Sequence, residues 1–341
     1  MQSGHPSKSH LPAIDALRAA ASLAVVAVHC VAATGWFYTG GAGPFAVDVF
    51  VVISGFLMAF LHDFKKASLP RDVGRFYVRR FFRIVPLYYA ALLLCLLLFP
   101  FSAADLLLRL SFLFGLSPAH CDSITLLDWS LGLEMQFYLV FPLLFLTAWS
   151  GGGFFAMALL TCMANLLIGA YPHLPGKPWG HFNMPSFLPL MLALFGGGMF
   201  LARVIKGKAA GKEYVWFYAG GIACLVALPF LHLRLAMGLV LLLAALFRLR
   251  PHLSVYAKIE NACANRLTRS LADWSYALYL IHPVTLRLLE KSGLALKGCV
   301  GTLELFALVL AVTYPVCHLL FRFLERPGIR LGRRIEARIG A

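Results

Sequence analysis

Ten runs of apolar residues, most of them long enough for a helix to cross roughly 30 Å of hydrocarbon, recur along the chain, at approximately 13–33, 45–62, 84–101, 129–148, 152–170, 186–203, 214–231, 233–248, 270–290 and 300–321. They read as continuous Leu, Ala, Val and Phe, without the dyad alternation of an outer-membrane barrel. The pattern predicts an all-α, polytopic membrane protein of about ten transmembrane helices, forming a single membrane domain over 1–341. No internal repeat or low-complexity linker divides it. No cleavable leader is expected, because the flank 1–12 carries Lys8 and little else that is basic, and the first run exceeds a signal-peptide core. No appended soluble domain is expected after the last run, only the basic tail LERPGIRLGRRIEARIGA.

Composition agrees with this reading and narrows it. With 60% hydrophobic and 13% charged residues, the chain has too little polar surface to cover a soluble globule. A net charge of +15 suggests nucleic acid at first sight, but the basic residues sort by loop. Lys65, Lys66 and Arg71–Arg83, then Arg203–Lys212, then Arg248–Arg269 and the tail all fall on one side if both termini are cytoplasmic, while the opposite loops hold only a few, such as Arg109, Lys177, Lys291 and Lys297. The charge therefore reports topology, and no nucleic acid partner is expected. The eight cysteines show no metal-ligand spacing, so no metal site is expected. Cys121 and Cys299 share the outer side, which is the sole support for pairing them.

The informative positions are the polar residues inside the runs. In AIDALRAAASLAVVAVHC, Arg18 and His29 are eleven positions apart, hence within about 20° of one helix face and about 16 Å apart along the axis. Asp15 and Ser22 join that face. Facing lipid would cost a few kcal/mol per charge, roughly 3 at the bilayer centre, so the stripe is expected to line a cavity. The simpler alternative is an Asp15–Arg18 pair with Arg18 reaching the interface and His29 as a packing residue. The fourth run, DWSLGLEMQFYLVFPLL, aligns Ser130, Glu134 and Tyr138 on one face with Gln136 beside them. The ninth, DWSYALYLIHPV, does the same with Ser275, Tyr279 and His282, and the tenth with Tyr314, His318 and Arg322. His29, Glu134 and His282 are expected at comparable depths. Each residue alone is more often structural; together they favour a lined cavity. The loop VRRFFRIVPLYY brings Arg79, Arg80 and Arg83 to the mouth of the third span with Arg75 one turn earlier. Such a cluster anchors topology, or it clamps the phosphates of a polyanionic cofactor such as coenzyme A.

In this order the pieces resemble the acyltransferase 3 family of integral membrane O-acyltransferases. The resemblance rests on Arg18 and His29 with ten residues between them, on AVDVFVVISGF with Asp48 and Ser54, and on VRRFFRIVPLYY. It continues through WSLGLEMQFYLVFPLL with Trp129, Ser130, Gln136 and Tyr138, then SYALYLIHP, and closes on ERP at 325–327. It implies a catalytic His29, Arg18 as its companion, and a basic pair, Arg80 and Arg83, with Arg75 and Arg79 beside it for the donor. Glu134 would orient His29 or the acceptor, and His282 is a second candidate for proton handling. Asp48, Ser54, Trp129, Ser130, Gln136, Tyr138, Ser275 and Tyr279 are expected in supporting roles. Met135 stands where a second acid is often found in the family, so Glu134 acts alone. The implied donor is acyl-CoA, by default acetyl-CoA, used as a substrate without a resident cofactor. The implied acceptor is a hydroxyl of an extracytoplasmic or lipid-linked carbohydrate, at a bacterial inner membrane. The same polar track would also suit a carrier or flippase for a glycolipid or anionic solute.

Overall fold

A computed structural model describes residues 11–37, 42–117, 120, 128–170, 187–249, 254–294 and 296–340. These form an all-α bundle: α1 (Pro12–Thr34), α2 (Ala42–Leu61), α3 (Leu69–Leu98), α4 (Ala103–Leu110), α5 (Asp128–Ala148), α6 (Gly151–Ala170) and α7 (Leu192–Ile205), followed by α8 (Gly211–Ala227), α9 (Leu231–Leu249), α10 (Ser254–Cys263), α11 (Arg266–Lys291), α12 (Gly298–Leu320) and α13 (Arg326–Gly340). By length and composition, seven helical stretches are able to cross a membrane: α1, α2, α3, α5, α6, α9 and the rod from α12 through α13. The remaining three expected spans are also helices, but α7 has 14 residues, α8 has 17, and α11, at 26 residues, carries charged residues toward both ends.

Two boundaries differ from expectation. The third helix begins at Leu69 and ends at Leu98, so the arginine segment is not a loop but the first half of α3. Pro70 in its first turn presets the backbone, and Arg is a good helix former wherever its head reaches water. The basic tail is helical too: α12 passes through a π-helical turn, Phe321–Glu325, into α13, which packs along α3. Arg75 donates to Glu336 of α13 at 3.1 Å, and Arg79 donates to the same carboxylate.

The centre of the bundle is α7, buried over nearly its whole circumference, as a short helix apolar all round must be. It meets α2 backbone to backbone. A Cβ on Gly55 would stand 2.1 Å from the Phe195 carbonyl oxygen, and one on Gly198 would stand 2.0 Å from that of Val52. The Ser-Gly pair of α2 thus serves two faces, with glycine against α7 and serine, about 100° round the helix, toward α5. Basic groups gather at one end of the bundle. There Lys206 Nζ donates to Ala59 O at 2.9 Å, Arg203 forks onto Glu213 at 2.9 and 3.0 Å, and Arg248 lies 4.5 Å over Tyr214. Burial, and then the neighbouring Lys208 charge, hold the Lys206 pKa below the usual lysine value. At the other end Arg109 is fully buried with its guanidinium 4.9 Å over Phe114, and Lys291 sits 4.6 Å over Phe99.

Candidate active site

A cavity of about 630 Å³ opens at the basic end, between α1, α2, α3, α5 and α11. Arg269 and Asp273 stand exposed at its rim, and its lining extends inward to Ser130 and Tyr279. On its wall, Arg18 donates to Ser275 Oγ at 3.1 Å, while that hydroxyl gives its own proton to Ala272 O at 2.8 Å. Ser54 donates to Glu134 through a short hydrogen bond. The Arg80 guanidinium lies about 6 Å from the Phe76 and Tyr138 rings, within cation–π range, and its buried Nε has no hydrogen-bond partner among the described residues. Arg83 also lines the wall, with the fully buried Glu325 of the π-helical turn 4.0 Å behind it. Four guanidinium groups in one partly desolvated cleft suit a polyanion.

The inner end closes with a hydrogen bond between Ser130 Oγ and Tyr279 Oη at 2.5 Å. One turn further along α11 is His282, its ring 6.4 Å from that of Tyr279. Its Nε2 lies 3.1 Å from His29 Nδ1, the two rings tilted by 19°. The cavity lining reaches Tyr279 but includes neither histidine. Helices α1 and α11 therefore run side by side in the same direction with two rungs between them, Arg18–Ser275 below and His29–His282 above.

Several expected placements change with this geometry. Glu134 does not share the level of the histidines and is not the partner of His29. Its neighbours are Ser54, Arg80 and Tyr138, while Ser130, one turn earlier on α5, already stands level with Tyr279. The outer turn Leu113–Leu116 packs against the start of α5, where Gly115 and Gly132 let the two backbones approach closely. The four α3 arginines divide, with Arg80 and Arg83 on the cavity and Arg75 and Arg79 engaged with Glu336. Asp48 faces away from the cavity and pairs with His232 of α9 at 2.7 Å. It lies six residues, about 120° of helix, from the cavity-facing Ser54. Gln136 accepts from Leu188 N at 3.1 Å, Trp129 is buried outside the lining, and Ser22 donates to Ala19 O of its own helix. Among the described residues no cluster of His, Cys, Asp or Glu suits a metal ion. Cys299 is exposed, whereas Cys121 lies outside the described residues.

Sequence reading missed Arg269, Asp273 and Tyr276 as lining residues and gave Glu325 no role. The first three were legible as the residues that precede or share the Ser275 and Tyr279 face. Glu325 carried no such signal, since only the π-helical turn directs it inward.

The acyltransferase 3 profile, an acyltransferase domain, matches residues 11–322. The chain is 28% identical over 324 residues to the exopolysaccharide production protein ExoZ of Rhizobium meliloti, covering 89% of this chain and 95% of that protein. It is 26% identical over 384 aligned positions to the acyltransferase MdmB of Streptomyces mycarofaciens, covering 96% and 94%. A 157-residue stretch is 30% identical to the peptidoglycan O-acetyltransferase OatA of Listeria monocytogenes, covering 40% of this chain but only 24% of that longer protein. No solved structure matches. With its multi-helix membrane architecture and a match over nearly all of its length, the chain belongs to the acyltransferase 3 family.

Proposed function

We propose that the protein is a membrane-bound O-acyltransferase that moves an acyl group, acetyl by default, from cytoplasmic acyl-CoA to a hydroxyl of an extracytoplasmic or lipid-linked carbohydrate. The observation that carries this reading is the convergence of Arg18, Arg80, Arg83 and Glu134 on one cleft, with a histidine pair immediately beyond its inner end. The chain acts as one membrane domain of about ten spans in a bacterial inner membrane, with both termini cytoplasmic. The clustering of basic groups at the open end of the cleft supports that orientation.

Arg80 and Arg83 bind the donor's phosphates, and Arg18, held by Ser275, accompanies the acyl-bearing arm toward Tyr279. Glu134 and Ser54 orient the arm within the cleft. Movement of Tyr279 away from Ser130 opens the way to His29, which takes the proton of the acceptor hydroxyl. The alkoxide oxygen attacks the thioester carbon, the C–S bond breaks, and the thiolate takes up the proton that His29 had accepted and leaves toward the cytoplasm as free CoA. The likeness to proteins named for exopolysaccharide production and peptidoglycan O-acetylation supports a glycan acceptor.

The test is purified protein in liposomes supplied with labelled acetyl-CoA and a cell-surface glycan fraction. Free CoA should appear only when acceptor is present, and His29→Gln should slow its release by about 10²-fold or more while the protein stays monodisperse. Movement of label across the bilayer without thioester cleavage would identify a carrier and overturn the proposal.

A further inference from the structure

We infer that His282 is the positioning residue that decides which nitrogen of His29 carries the proton, an inference that rests on the acyl-transfer reading. The positions of the hydrogens follow from which neighbouring atoms can donate and which can only accept. His282 Nδ1 lies 2.7 Å from the carbonyl oxygen of Leu278, one turn earlier on its own helix. A carbonyl can only accept, so Nδ1 of His282 bears a hydrogen. The ring is completely buried and pairs with no carboxylate among the described residues, so it is neutral. Its Nε2 then holds a lone pair and can only accept.

His29 Nδ1, at 3.1 Å, must supply the hydrogen for that bond. A neutral His29 protonated on Nδ1 has its own lone pair on Nε2, at the far side of the ring, where no described residue bonds to it. Imidazole in water prefers the opposite tautomer, with the hydrogen on Nε2, and that form cannot take a proton there. The relay from His29 through His282 to the Leu278 carbonyl thus sets the base before the substrate arrives. When Nε2 accepts the hydroxyl proton, the imidazolium keeps its Nδ1–H bond, which strengthens as charge develops. Helix α12 holds both partners in register: Thr34 of α1 meets Thr302 at 2.5 Å, and Thr313 donates to Thr285 of α11 at 3.0 Å.

The experiment combines NMR of protein labelled with ¹⁵N-histidine in nanodiscs and steady-state kinetics, with His29 assigned by the signal lost in His29→Gln. Wild type should show His29 protonated on Nδ1 and bare on Nε2. His282→Leu removes the acceptor and should move that hydrogen to Nε2. It should lower kcat by about 10²-fold while the KM for acyl-CoA changes by less than about threefold. His282→Gln offers an amide oxygen near the former Nε2 and should keep the wild-type tautomer and recover kcat to within about tenfold. A wild-type His29 protonated on Nε2, or an unchanged kcat in His282→Leu, would overturn the inference. If His29→Gln stays fully active, the transfer mechanism fails instead, while the NMR still reports the tautomer.

Discussion

At the scale of single residues, the site is defined by what each charged group touches. Arg75 and Arg79 lie one turn apart on α3 and share Glu336, whereas Arg80, directly following, turns its guanidinium into the cleft between two aromatic rings. Adjacent arginines in one basic motif therefore carry different duties. Arg80→Ala should raise the KM for acyl-CoA by about tenfold or more, the loss of one charge-assisted contact to phosphate, with a smaller effect on kcat. Arg75→Ala should leave both constants within about twofold and cost at most about 1 kcal/mol of stability, because its ion pair with Glu336 is partly exposed. Equal KM effects at the two positions, measured by CoA release, would contradict this division. Asp48 makes the same point: it belongs to the motif that carries the family resemblance, yet its partner is His232, so the pair joins α2 to α9.

At the scale of elements, the cleft depends on how closely helices approach. Gly55 and Gly198 let α2 and α7 touch through their backbones, and Ser54 faces Glu134 because Gly55 faces α7. Gly55→Ala would drive a methyl into a carbonyl that cannot move alone, so the two helices must separate. The expected result is a loss of about 1–3 kcal/mol, read as a lower thermal midpoint in detergent. Gly74→Ala, on the basic half of α3 with open space at its Cβ, serves as the control and should be neutral or slightly stabilising. A Gly55→Ala protein as stable as wild type would mean that the helices do not meet there. The π-helical turn plays a comparable part: it changes the register between α12 and α13, so that Glu325 points under Arg83 while Glu336 meets Arg75 and Arg79.

At the scale of the whole molecule, charge is distributed unevenly, and in the proposed reaction that asymmetry sets the direction of transfer. The open mouth of the cleft, the first half of α3 and the exposed arginines of α13 share one end, and the start of α12 with Cys299 lies at the other. A membrane-impermeant maleimide should label Cys299 in intact spheroplasts, and a cysteine placed at Arg330 should react only after permeabilisation. The opposite pattern would put the donor cleft outside the cell, where acyl-CoA is absent.

Much of this was legible from the order of residues. Apolar runs, basic loops and spaced polar positions specify a helical membrane protein, its family, and the faces that carry Arg18, His29, Ser130, Glu134, Tyr279 and His282. Periodicity does this because a helix repeats locally, so the face a residue occupies follows from its neighbours in the chain. The relative shift of two helices does not follow from either helix alone. It is set by contacts between distant segments, such as Gly55 against Phe195, or Gly115 against Gly132. That shift decided that Glu134 stands beside Ser54 and Arg80, and that His29 meets a histidine 253 residues away. The residue types capable of the chemistry were written in the sequence; which of them meet was decided only by the tertiary packing.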